Sequence, residues 1–162
     1  MADYLRTTIG GCMQIQLWQN RDAGHVHPEL FSSTAEKLAQ HVFQGQLRNN
    51  KLNKPTQLRK FYDEVVRFDG EIKSFPAEQQ EDEFKKQLPY LKMLNAKAAY
   101  AMARDLISSE FKEFIASAIQ QIHEKKDFDA FYGLFEAFMG FYKFYDEKGE
   151  RPQKNFAPKG GR

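Results

Sequence analysis

Residues 127–145 read DFDAFYGLFEAFMGFYKFY, and nine of these nineteen positions are aromatic. The rings fall at 128, 131, 132, 135, 138, 141, 142, 144 and 145, so they return every three or four residues. That spacing is helical, and a helix this rich in Phe and Tyr must be the centre of a core or a buried interface. Asp127 stands immediately before Phe128, where a side-chain carboxylate can cap the helix. The sequence therefore predicts a last helix over Phe128 to Tyr145, with other helices packed around it.

Working back along the chain, Ser108 is a cap for a helix carrying Phe111, Phe114, Ile115, Ala118 and Ile122 on one face. A helical pattern also runs from Pro76 to about Ile107. Pro89 lies inside it and predicts a break near Leu88. Beyond Pro89, Leu91, Leu94, Ala98 and Met102 share one stripe, while Tyr90, Lys97, Tyr100 and Arg104 share another. Further upstream, Thr56 after Pro55 predicts the cap of a helix opening at Gln57, with Leu58, Phe61, Tyr62, Val65 and Phe68 on its apolar side. Gly70 or the run Ser74-Phe75-Pro76 ends it. A first helix is expected from Pro28 to about Gln44, followed by a polar, basic loop from Gly45 to Lys54. Residues 1–27 show no clear period and read as an N-terminal extension. Residues 28–146 form the bundle. Residues 147–162, with their Pro, Gly and basic side chains, read as a mobile basic tail. The fold class is all-α, a compact bundle of five or six helices with no sheet.

The chain of 162 residues has the length of one domain, and its mean hydropathy is −0.69. It has no apolar run long enough to span a bilayer and no signal-peptide pattern at MADYLRTTIGG. Its one cysteine, Cys12, excludes an intramolecular disulfide and a multi-cysteine zinc site, and the expected location is the cytoplasm. His25, His27 and His41 could be imagined as metal ligands. With no HExxH pattern and no cysteine at ligand spacing they read as surface histidines, and no cofactor is expected. No phosphate-cradling glycine loop and no constellation for acid–base or nucleophilic catalysis appears, so the chain reads as a binding protein and not an enzyme.

The net charge of +2 is unevenly spread: residues 148–162 carry +4 and residues 1–147 carry −2. Two windows hold basic residues and no acid. One runs from Lys37 to Tyr62 and contains Arg48, Lys51, Lys54, Arg59 and Lys60; the other runs from Phe84 to Arg104 and contains Lys85, Lys86, Lys92 and Lys97. Such windows are either solvated helix faces or a nucleic-acid surface.

Three segments in order resemble the small-subunit family of type III-A (Csm-type) CRISPR effector complexes. The first is Lys54-Pro55-Thr56-Gln57-Leu58-Arg59-Lys60-Phe61-Tyr62-Asp63. The second is LKMLNAKAAYAMAR, from Leu91 to Arg104. The third runs from Leu134 to Lys143. Asn95-Ala96 replaces a Lys-Pro pair of the family's second motif, and Tyr142 replaces the histidine expected before Lys143. The resemblance implies an all-α, non-catalytic subunit that holds single-stranded target RNA beside guide-RNA-bearing backbone subunits, a large subunit and neighbouring copies of itself, with no membrane partner. On this reading the RNA-binding residues are Lys51, Lys54, Gln57, Arg59, Lys60, Lys97, Tyr100 and Arg104. The competing reading is a helical protein–protein adaptor without a nucleic-acid role.

Overall fold

A computed structural model describes residues 13–149. The aromatic run is a helix of 24 residues, α6 (Lys125–Lys148), with Phe128, Phe131, Leu134, Phe135, Phe138 and Tyr142 buried. Five further α-helices are present among the described residues: α1 (Ala35–Arg48), α2 (Pro55–Lys73), α3 (Gln80–Lys92), α4 (Leu94–Ala103) and α5 (Ser109–Gln120). Helix α1 lies along α6, α2 packs on α6 and α3, and α4 packs on α5. The architecture is the all-α bundle read from the sequence.

The core is a chain of rings. Phe114 of α5 meets Phe135 edge-on with centroids 5.3 Å apart, and Phe61 of α2 meets Phe111 at 5.3 Å. At one end of α6, Phe68 and Phe84 close on Phe128 at 5.1 and 5.8 Å. Edge-to-face and tilted pairs at these distances add to the area the rings bury.

Several local expectations change. Helix α2 opens two residues early: Pro55 is its first residue and Lys54 its cap position, with no side-chain cap, so Thr56 lies inside the helix. Proline suits that position because its missing N–H would have no intrahelical partner there. Ser108 does cap α5, its hydroxyl accepting from the Phe111 N–H at 3.5 Å. Asp127 is not the cap of α6; it is the third helical residue and closes a reciprocal capping box with Glu124. Pro89 does not break α3. The carbonyl it orphans, that of Lys85, belongs to an exposed residue and can be hydrated, while Phe84 and Leu91 anchor the helix in the core on both sides. The break comes at Met93, between α3 and α4.

The structure also contains a small sheet where none was expected. Strands β1 (Trp18–Asn20) and β2 (His25–Val26) form an antiparallel hairpin, with Gly24 at φ 72° in its turn. Ile15 and Leu17 just before it are buried in the core. The Gln121 amide donates to the Ile15 carbonyl at 2.7 Å, and its oxygen accepts from the Leu17 N–H at 3.2 Å. Cys12 and the tail cations Arg151, Lys154, Lys159 and Arg162 lie outside the described residues.

Two buried polar groups organise the helix ends. Asp127 accepts from Trp18 Nε1 at 2.8 Å, Arg21 Nε at 2.9 Å, and the N–H groups of Glu124 and His123 at 2.9 and 3.0 Å. Burial alone would push this carboxyl up; the Arg21 guanidinium, the two backbone N–H groups and the indole outweigh it and hold the pKa at about 2. Asn53 is the second. It sits at φ 53°, its amide donates to Val42 O at 3.0 Å and Ser108 Oγ at 2.7 Å, and its oxygen accepts from the Ser108 N–H at 2.8 Å. Its backbone carbonyl accepts from the Tyr142 hydroxyl at 2.6 Å, and its N–H donates to Leu106 O at 3.0 Å.

Phe135→Ala empties the middle of the ring stack and is expected to cost about 3–5 kcal/mol, read as a lower denaturation midpoint with helical circular dichroism retained. The Asp127 carboxylate is held below its ordinary pKa, so its contribution is present above about pH 4 and lost as pH falls through about 2. Asp127→Asn is therefore expected to cost about 2 kcal/mol at neutral pH. Urea melts should show the difference from the wild type shrinking between about pH 4 and pH 2.

Candidate nucleic-acid interface

Helix α2 presents Gln57, Lys60, Glu64, Arg67 and Glu71 at alternating intervals of three and four, which places them along one face. That face looks onto α4 and α3. Between α2 and α4 lies a groove of about 220 Å³, walled by Gln57, Lys60 and Glu64 on one side and Leu94, Lys97 and Ala101 on the other. At Glu64 and Leu94 it runs into a larger cleft of about 420 Å³ between α2, α3 and α4, where Arg67, Glu71, Gln87 and Tyr90 line the walls. The break at Met93 makes this cleft, because α4 leaves α3 there at the edge of α2.

The cations expected from sequence divide into groups. Lys60, Lys97 and Gln57 share the groove. Lys97 is paired across it with Glu64 at 2.5 Å. Tyr100, 64% exposed, and Arg104 follow on the outer side of α4, with the guanidinium 5.6 Å from the ring centroid and NH1 3.4 Å from the phenol oxygen. Lys51 and Lys54 are exposed on the loop that enters α2. No acidic residue occupies the first turn of that helix, which leaves the positive end of its dipole uncompensated. The Lys51, Lys54 and Lys60 side chains form no ion pair among the described residues.

Arg59 is separated from these. Its Nε donates to Asp63 at 2.8 Å, and its guanidinium stands 5.7 Å from the Tyr62 ring, which packs on Tyr132 and Phe135 of α6. It faces the α2–α6 side and not the groove. Burial, and then Tyr132 and Glu136, push the Tyr62 phenol up to about 12, so it stays a neutral donor. Phe61, Phe131, Phe135 and Phe138 are core residues.

Sequence reading missed Glu64, which lines both the groove and the cleft, and Glu71 and Gln87, which line the cleft. The signal was the heptad-like polar stripe on α2, which a search for cations alone passes over.

Neither the histidines nor the carboxylates assemble into a metal centre: among the described residues no three His, Cys, Asp or Glu side chains converge to hold an ion. His27 accepts the Glu29 N–H at its Nδ1 at 3.3 Å, and His41 lies on α1. No helix among the described residues is long and apolar enough to cross a membrane.

Five helices packed around the aromatic spine of α6, with polar clefts between α2 and its neighbours, define a small all-α bundle. The family model described as Csm2 Type III-A matches residues 26–148, and the chain belongs to that family of small subunits of type III-A CRISPR complexes. It is therefore part of a Csm complex with other subunits. No curated protein and no solved structure matches the chain.

Proposed function

We propose that this chain is a non-catalytic, cytoplasmic subunit that holds single-stranded target RNA while the RNA pairs with the guide carried by neighbouring backbone subunits. The observation that carries this reading is the groove between α2 and α4. The unpaired Lys60 lines it, Lys54 stands at the start of the same helix, and Tyr100 and Arg104 follow on α4. A target whose sequence is read by base pairing needs sequence-neutral contacts from the protein that steadies it. Ammonium groups on phosphate and an unopposed helix N-terminus supply these.

The groove is only partly cationic, since Glu64 offsets Lys97. Affinity per chain is therefore modest, and copies placed side by side along one strand raise it by making each later contact intramolecular. The large subunit and the guide-bearing subunits are the remaining partners, and no membrane is involved. The binding body takes in Ile15, Leu17 and Trp18 as well as the helices that follow them.

Each phosphate contact adds roughly −0.7 to the slope of log K against log salt for a single strand. Replacing Lys54 and Lys60 together by alanine should flatten that slope by about 1.4, measured by fluorescence anisotropy with a short single-stranded RNA. Replacing Lys143 and Lys148 on α6 should leave the slope unchanged. Equal loss from both pairs would favour bulk charge over the groove, and no RNA binding by the wild type would favour the adaptor reading.

Glu64→Gln releases Lys97 and removes a carboxylate from the groove. It should tighten RNA binding and steepen the slope by about 0.7; a weaker complex would place the strand elsewhere.

A further inference from the structure

We infer that the cleft between α2, α3 and α4 seats one unpaired base of the bound RNA strand, with the Tyr90 ring as its stacking platform. This rests on the RNA-binding reading above and gives a role to a cleft that reading leaves unused. Tyr90 is 72% exposed, yet it stands at the wall of a cleft of about 420 Å³, a volume in the range of small-molecule sites. Leu91 and Leu94, both buried, line the cleft beside it, so a flat apolar face inserted there meets hydrocarbon as well as the phenol ring.

The charges select a base over a phosphate. Glu64 and Glu71 both line the cleft, and Arg67 is held between them at 3.8 and 2.6 Å. Lys97, in the adjoining groove, is bound to Glu64. An anion entering here would meet two carboxylates and no unpaired cation. A neutral heterocycle with N–H donors would find those carboxylates and the Gln87 amide as acceptors.

The groove supplies the rest of the nucleotide. Lys60 and Arg67 are seven residues apart on α2, about 10 Å along its axis. A strand whose phosphate rests at Lys60 thus carries a neighbouring base to the cleft, through the opening at Glu64 and Leu94 that both spaces share. Base stacking on an aromatic side chain tolerates every base, which suits a target of arbitrary sequence.

The test uses the full chain and a short oligouridine strand containing one 2-aminopurine, whose fluorescence falls when the base stacks. Saturating wild type should quench it. Tyr90→Phe should quench as well. Tyr90→Ala should bind about 5- to 100-fold more weakly, without quenching at saturation and with an unchanged salt slope, since no phosphate contact is lost. Because Tyr90 is exposed, circular dichroism should be unaltered. Binding by the wild type without quenching would overturn the base seat and leave the RNA reading standing. Absence of any binding would remove both. A Tyr90→Ala chain that binds and quenches normally but no longer co-purifies with the other Csm subunits would overturn the seat in favour of a protein-docking face.

Discussion

Asn53 is fully buried and left-handed, a conformation that costs a residue with a Cβ roughly 1–2 kcal/mol. Asparagine tolerates it because its short amide bonds locally: here the amide reaches Val42 on α1 and the Ser108 cap of α5, while the backbone carbonyl accepts from Tyr142 on α6. Glycine would adopt the same φ more easily but would strand the buried Ser108 N–H, at a cost of about 1–3 kcal/mol. The demand propagates to Gly45, where a Cβ would come within 2.6 Å of Ser108 Cβ and 2.8 Å of the Asn53 amide nitrogen. α1, α5 and α6 are thereby fixed to the loop that enters α2.

The same latch sets the geometry of the basic residues. Asn53 immediately precedes Lys54, and its N–H bonds to Leu106, two residues beyond Arg104. The entry to α2 and the exit of α4 are therefore one rigid unit, although their sequences lie some fifty positions apart. Tyr142 serves that unit: its hydroxyl donates to the Asn53 carbonyl from inside the core. Burial pushes the Tyr142 phenol above its ordinary range, which favours the neutral, hydrogen-bond-donating form.

The helices were legible because their signals are local. The three- and four-residue return of rings in 127–145, the proline at the start of α2 and the serine before Phe111 each act within one turn. The hairpin was missed although residues 14–17, Gln-Ile-Gln-Leu, alternate polar and apolar side chains with the two apolar ones buried; the run is too short to stand out against the glycines around it. Pro89 misled because its effect depends on whether the orphaned carbonyl is buried, which sequence does not state. In the interface, the cations were legible but their partners were not: Lys97 meets Glu64 across 33 positions, and Arg59 is claimed by Asp63 one turn away. Composition fixes how many charges exist; the fold decides which are free.

That distinction bears on the proposed RNA role, because the chain as a whole carries a net charge of only +2. A continuous row of unpaired lysines along α2 would bind any strand tightly and slow its exchange, since each phosphate contact multiplies affinity. Alternating Lys60, Glu64, Arg67 and Glu71 on one helical face instead leaves unpaired charge at the N-terminal end and matched charge at the other. A strand would then be held by its backbone at one end of the groove and meet a neutral, hydrogen-bonding wall at the other. Such an interface suits a subunit whose contacts must be repeated along a strand that other molecules read.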